Sequence, residues 1–502
     1  MPYDVVVVGA GSAGATLAAR LSEDPGTRVL LLEAGPVQEH EIPPEVHDGT
    51  VLRAAAPGHP ATWSYPVRLS PERDHVIARG RVLGGSSAIN GGVFVRARPE
   101  DHDGWAALGN EEWAYDRVLP VMRALEADLD LGPGPVHGGD GPVPVRRDGS
   151  ADVATAAFRE AALGLGYPDE PDKNAPGPPG VGPLPLNVVG GVRYSSARCY
   201  LQPARDRSNL EIRGGTVVRR VLIERGRAVG VEVSTAGQCR RIEAGEVVLA
   251  AGAVASPQLL MLSGLGPPEE LAAHDIPVIT PLPGVGREFT DHPQLTLPWR
   301  RRSDDRTAPG LAPFLGALHL TSPGGPGRGD LEIMLGLRPI GRDLAGELPL
   351  LVGLNSPDSR GRLSLRGADP DTSPRIDYRY LETAQDRAAM RAGLRVAATL
   401  LRTRPFAEVA ESPADTWDLS DDGVLDRWIT AHLGTAIHLS GTARMGLEGD
   451  HGAVTDQYGR VRGTDGLRLA DTSILPTAPS RGTSATAVLI GEMVARFMRR
   501  GR

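Results

Sequence analysis

The sequence predicts an α/β protein built on a Rossmann-type, doubly wound parallel sheet, with enough chain left over for a second domain. Three observations predict it: a β-branched run at the start, a glycine turn leading directly into a helical pattern, and a second apolar run that ends on an acid. At 502 residues the chain exceeds the usual size of one compact domain.

The first run, Asp4-Val5-Val6-Val7-Val8, suits a parallel strand buried on both faces. It passes into Gly9-Ala10-Gly11-Ser12-Ala13-Gly14 and then into the helical pattern Ala15–Leu21. Each glycine has a mechanical reason. Gly9 permits the tight turn, Gly11 lets backbone approach a pyrophosphate, and Gly14 lets the helix pack closely on the strand. The helix start offers unpaired N–H groups and a positive dipole end to phosphates. The second run, Val29–Leu32, ends at Glu33, whose carboxylate can accept from both hydroxyls of a ribose. Strand, turn, helix, strand and acid together predict a dinucleotide site.

Composition narrows the function. Hydrophobic residues at 40% and charged residues at 23% are ordinary for a globular protein. A net charge of −8 argues against a nucleic-acid partner, which needs an electropositive surface. The basic residues are nearly all arginine, with Lys173 the one lysine. Cys199 and Cys239 lie far apart without metal-ligand spacing and are expected to be reduced. The first strand begins almost at once, so no signal peptide is expected, and no apolar run approaches the ~20 residues that span a bilayer. A cytoplasmic location is the expectation.

A second segment is more specific. Arg79-Gly80-Arg81-Val82-Leu83-Gly84-Gly85-Ser86-Ser87-Ala88-Ile89-Asn90-Gly91-Gly92 is too long for a turn and too small-sided for a core, which suits packing around a flat cofactor. It resembles the first signature of the glucose–methanol–choline (GMC) oxidoreductases and continues in register to Phe94, Ala97 and Asp103. Gly252–Gly266 resembles the second signature. Leu282–Gly286 with Asp291-His292-Pro293, Ser359–Leu363 with Asp369-Pro370, and Asp471–Pro476 extend the likeness over almost the whole chain.

The resemblance implies FAD, bound through Gly9, Gly11, Ser12, Ala13, Gly14, Glu33 and Ala34. It also implies Val82, Gly84, Gly85, Ser86, Asn90, Gly91, Gly92 and Val93, with Val218 beside the adenine and Asp471, Thr483, Ser484 and Ala485 near the ring. Some family members attach FAD through a histidine just before the asparagine of the first signature. Ile89 stands there, so the FAD is expected to be non-covalent. The FAD domain is expected over residues 1–150, 196–290 and 430–502, and an α+β substrate domain with an antiparallel sheet over 151–195 and 291–429. Val221–Ile223 and Ala228–Val233 predict a hairpin on pattern alone.

Oxidising an alcohol removes a hydride from carbon, which flavin accepts at N5, and a proton from oxygen, which needs a base of near-neutral affinity. His438-Leu439-Ser440-Gly441-Thr442-Ala443-Arg444-Met445-Gly446 resembles the family segment carrying that base, so His438 is the candidate. His432 is read as structural, and nothing in the sequence brings His292 or His102 to a substrate. The family usually pairs its base with a second histidine or an asparagine at the start of the last helix, where this chain has Ser484. Serine can donate to an alkoxide but is shorter, and losing a positioned donor typically costs ~3 kcal/mol. Three readings stay open: action through a water, room for a bulkier substrate, or weak or altered activity.

Pro142–Arg147, Val181–Asn187 and Pro479–Gly482 resemble the mycofactocin-associated branch of the family, which implies electron transfer towards respiration, although that branch carries histidine at Ser484. Non-redox lyase chemistry on the same fold is the other alternative. The expected partners are a small-molecule alcohol and an electron acceptor, whether O2, a quinone or a respiratory carrier. No metal is expected.

Overall fold

A computed structural model describes residues 3–148, 151–302, 308–340, 347–412 and 418–502. The valine run forms strand β1, Tyr3–Val8, whose last four residues are buried. Helix α1, Ser12–Leu21, follows, then strand β2, Val29–Leu32. β1 pairs in parallel with β2 on one side and with the end of strand Gln238–Leu249 on the other, and Leu210–Arg213 and Leu467–Leu469 extend the sheet outward. Strand Gln238–Leu249 serves two structures. Its second half lies in the parallel sheet, while its first half closes an antiparallel meander with the hairpin Thr216–Glu224 and Arg227–Thr235. That hairpin is the one the sequence predicts, and Arg225 and Gly226 supply the positive φ its tight turn requires.

Helix α1 is made almost wholly of small buried residues, so it is covered rather than merely amphipathic. The last helix, Ser484–Arg499, lies across it at backbone distance. A Cβ at Gly491 would lie 2.4 Å from the Ala13 carbonyl oxygen, so this crossing requires glycine.

An antiparallel sheet roofs the molecule. Its order is Ala410–Glu411, Pro293–Arg301, Leu348–Leu354, Leu331–Gly336, Phe314–Leu320 and Val181–Pro183, with Gly434–Thr435 also on Pro293–Arg301. Side chains alternate between its faces. Leu331, Ile333 and Leu335 join a core with helices Val153–Gly164 and Ala384–Arg402, while Glu332 and Met334 face the cavity beneath the roof. Gly393 brings helix Ala384–Arg402 close to the sheet, where a Cβ would meet Val352 at 2.9 Å.

Leu363, Leu365, Ile376, Tyr378 and Tyr380 pack in the core of the parallel-sheet domain, although the sequence reading put 291–429 with the roof. The reason is the pairing of strands Arg362–Ser364 and Arg375–Asp377 with the hairpin Thr62–Ser70 and Arg73–Gly80, which leads into the glycine-serine segment. The boundary expected at residue 150 falls outside the described residues. Cys199 is buried and Cys239 exposed, and both are free.

The Gly491 crossing can be tested. Gly491→Ala should lower the melting temperature by several degrees, because the added methyl would press on the Ala13 carbonyl and on Thr16 Cβ, neither of which can swing away; overpacking of this kind typically costs about 1–3 kcal/mol. Thermal unfolding of the holoprotein measures it.

Candidate active site

The strand ends, the glycine-serine segment and the roof enclose one elongated cavity of about 690 Å³. One end is lined by Gly9, Gly11, Ser12, Ala13, Glu33, Ala34 and Val218. The other is lined by Gln294, Phe314, Glu332, Met334, Leu351, His438, Gly482, Thr483 and Ser484. Gly85, Ser86, Ile89, Asn90, Gly91 and Val93 form the wall between them, with Asp471 opposite.

Two remote segments run antiparallel at the roofed end and carry its histidines. Thr290 and Ser440 exchange both backbone hydrogen bonds, and Ala436 N–H donates to the His292 carbonyl at 3.0 Å. One carboxylate oxygen, Asp291 Oδ1, accepts from the backbone N–H of both His292, at 2.6 Å, and His438, at 2.7 Å. The two rings then meet edge to face, with His292 Nδ1 and His438 Nδ1 2.9 Å apart. Ile437, just before His438, has φ of +62°, which is strained for a β-branched residue. Arg79 Nη1 donates to its carbonyl at 2.8 Å, and its N–H donates to Thr435 Oγ1 at 3.0 Å, so both ends of that peptide are fixed.

Burial is the largest influence on these titratable groups. It holds the His438 imidazole down to about 4, with Glu332 pulling the other way and Arg79 adding to the depression. It drives His292 well below the ordinary imidazole value, with repulsion from a charged His438 adding to the effect. It pushes Asp291 up to about 7 against the two backbone hydrogen bonds. Both histidines are therefore neutral at pH 7, and one must donate its Nδ1–H to the other. If His438 is the donor, its Nε2 carries a lone pair, and the Nε2 edge is the one that faces the Gly482 side of the cavity, 3.8 Å from where a Cβ on Gly482 would lie.

Ser484 opens the last helix beside His438 in the cavity wall. Its Oγ accepts from Asn90 Nδ2 at 3.3 Å, which leaves its own O–H free to donate. His102 is buried with Nδ1 3.2 Å from the Trp113 carbonyl, and exposed His432, which was read as structural, lies against the Trp428 carbonyl; neither lines the cavity.

Residues 3–294 match the N-terminal model and residues 357–491 the C-terminal model of the GMC oxidoreductases. The chain is a GMC oxidoreductase. It is 41% identical to an uncharacterised GMC-type oxidoreductase of Rhodococcus erythropolis, covering 99% of this chain and 98% of that one. It is 34% identical to a 5-(hydroxymethyl)furfural oxidase of Methylovorus sp., covering 98% of each. The crystal structure of pyridoxine 4-oxidase from Mesorbium loti superposes with a TM-score of 0.91 at 31% identity, covering 99% of both chains. Like its family, this GMC oxidoreductase carries out FAD-dependent oxidation of alcohols.

The wall fits FAD. The first turn of α1 lacks intrahelical partners for its N–H groups, and Gly11, Ser12 and Ala13 present it to the cavity. A Cβ on Gly85 would come 2.6 Å from Gly11 Cα, so two glycines let the two loops meet there. Glu33 is steadied by N–H groups of Ala10, at 3.0 Å, and Gly35, at 2.9 Å, with lone pairs left for ribose hydroxyls. Asp471 accepts from Gly252 N–H and Ser256 Oγ, joining the second signature to the last strand.

Five residues expected at FAD stand behind this wall. Gly14 packs on the Gly9 carbonyl and Ala250, and Gly84 on Ala88, Ser195 and Ala197. Gly92 packs on Val188, while Val82 and Ala485 are buried core residues. They shape the wall without lining it. Conversely, sequence reading gave no role to His292, Asp291, Arg79 or Glu332. Arg79 and Asp291-His292-Pro293 lay in segments that carried a local signal, but neither segment pointed to His438.

Ile89, at the place where some relatives attach FAD, lines the cavity and has no nucleophilic atom. Unfolding the yellow holoprotein in acid should therefore release all of its flavin into the supernatant as intact FAD. Flavin that sediments with the polypeptide would contradict this.

Proposed function

We propose that His438 is the base in this oxidation and that Ser484 is the donor that steadies the alkoxide. The observation that carries the reading is the 2.9 Å contact between His292 Nδ1 and His438 Nδ1 at a cavity-lining imidazole. With Nδ1–H committed to His292, the His438 Nε2 lone pair is directed to the cavity, where a substrate hydroxyl can give up its proton. The imidazolium that forms keeps its Nδ1–H bond to neutral His292, so no second proton has to move. FAD, when bound, supplies the acceptor for the hydride that leaves the alcohol carbon.

Ser484 complements this because the hydrogen bond from Asn90 occupies one lone pair of its Oγ and leaves the O–H to point at a developing negative oxygen. The arrangement supports direct action of the serine, without the imidazole or amide found at this place in relatives. Gln294, Phe314, Met334 and Leu351 close the roof above and exclude bulk water from the proton acceptor. The lyase alternative is not favoured, since the matched relatives are named as oxidases and dehydrogenases.

Anaerobic mixing with an oxidisable alcohol should bleach the flavin absorbance. His438→Ala should retain FAD and slow that bleaching by ~10²-fold or more, the usual worth of a positioned base. The pH dependence follows from the lowered affinity of His438: the base form persists to about pH 4. Flavin reduction at low substrate should stay level from pH 8 down past 6.5 and fall only near the lower value. A decline centred at 6.5 or above would place the essential base elsewhere, and release of a carbonyl with the flavin still oxidised would favour the lyase.

A further inference from the structure

A buried guanidinium stands directly behind the glycine-serine wall. Val188–Val189 and Val192–Arg193 form a hairpin whose turn, Gly190-Gly191, has positive φ at both positions, as a tight two-residue turn requires. The hairpin carries Arg193 into the interior, where it is 1% exposed and does not line the cavity. Among the described residues no carboxylate is hydrogen-bonded to it, and its donors go to four backbone carbonyls. Nε donates to Asn90 at 2.9 Å, Nη1 to Val46 at 2.6 Å and Ala88 at 3.2 Å, and Nη2 to Val51 at 2.9 Å. Burial pushes the guanidinium down to about 10, against attraction from Asp48, so it stays a cation at working pH.

Asn90 belongs to the wall itself, and its carbonyl is the informative contact. A trans peptide is planar, so the Asn90 carbonyl and the Gly91 N–H point in opposite directions. The carbonyl points back to Arg193, outside the cavity, while Gly91 lines the cavity. Gly91 N–H therefore points inward, and it has no acceptor among the described residues. The neighbouring polar groups are already used. Gly92 N–H donates to Asn90 Oδ1, and Asn90 Nδ2 donates to Ser484. A cation on the carbonyl polarises the peptide and strengthens its N–H as a donor, most of all where water is excluded. Gaining a hydride makes a bound flavin richer in negative charge, and a fixed donor favours that form over the oxidised one.

We propose that Arg193 is a positioning residue for the oxidation: by holding the Asn90 carbonyl it turns the Gly91 N–H into the cavity, where bound flavin can accept it, and so favours the reduced flavin. The proposal rests on the fit of the wall to FAD and not on which residue is the base. Arg193 itself touches neither substrate nor cofactor; it acts through one peptide.

Potentiometric titration of the holoprotein, with a chemical reductant in place of an alcohol, reads the effect without catalysis. Arg193→Met should weaken the preference for reduced over oxidised flavin at least about tenfold, a fall in midpoint potential of about 30 mV for a two-electron couple. Arg193→Lys, which keeps the charge and a donor, should recover part of that fall. Sulfite adds to oxidised flavin and leaves it anionic, so it should bind Arg193→Met at least about tenfold more weakly than wild type. An unchanged potential and sulfite affinity in flavin-loaded Arg193→Met overturns the proposal. So does a lysine variant no nearer to wild type than the methionine variant. A readout on the wild type needs neither variant to fold: amide hydrogen exchange at Gly91 should slow by about threefold or more when the holoprotein is reduced, because the acceptor gains charge. Equal exchange in the oxidised and reduced holoprotein overturns the proposal as well.

Discussion

One carboxylate oxygen holds the active site together. Asp291 Oδ1 accepts the backbone N–H of both His292 and His438, residues 146 apart in the sequence that meet at one end of the roof. Without it, two extended segments would still pair, but nothing would fix the relative height of the two imidazoles. With it, their Nδ1 atoms meet, so the tautomers of the two rings are tied to one another. The strained peptide at Ile437 belongs to the same clamp. A β-branched residue at positive φ costs about 1–3 kcal/mol, and Arg79 and Thr435 hold it there so that the next side chain turns into the cavity.

The opposite wall depends on helix packing. Glycine at 491 lets the last helix lie on α1 at backbone distance, and the two helices reach the same cavity, α1 at one end and Ser484 at the other. The roof sheet completes the enclosure by alternation, with leucine and isoleucine turned to its helices and Glu332 and Met334 turned to the cavity. His438, Ser484 and Glu332 thus reach the same cavity through three separate packing events.

Features that depend on local geometry were legible in the sequence. Gly9, Gly11 and Glu33 can be read because a turn, a helix start and a strand end place them within one βαβ unit. His438 could be read because its flanking glycine and threonine form a recognisable segment. The contact between His292 and His438 could not, because it spans 146 residues and rests on a strand pairing that no local pattern announces. Glu332 carried no signal in the sequence, because which face the roof turns to the cavity is set by tertiary packing. Gly14 was read as letting the helix pack on the strand, and it lies against the Gly9 carbonyl and Ala250; the resemblance also implied FAD contacts for Gly14, Gly84 and Gly92, whose near neighbours are protein backbone or side chains. Residues 362–380 were placed in the substrate domain by resemblance, whereas their strands pair with the hairpin Thr62–Ser70 and Arg73–Gly80.

The central claim is that His438 accepts a proton at Nε2 because His292 holds its Nδ1–H. Anaerobic flavin reduction by one oxidisable alcohol, measured across pH for His292→Leu and His292→Gln, tests it most directly. Leucine removes the acceptor and should slow reduction by about tenfold or more, as loss of an orienting partner does, with FAD content unchanged; glutamine, whose amide oxygen can accept, should recover part of the rate. Equal rates for wild type and His292→Leu at every pH would contradict the account.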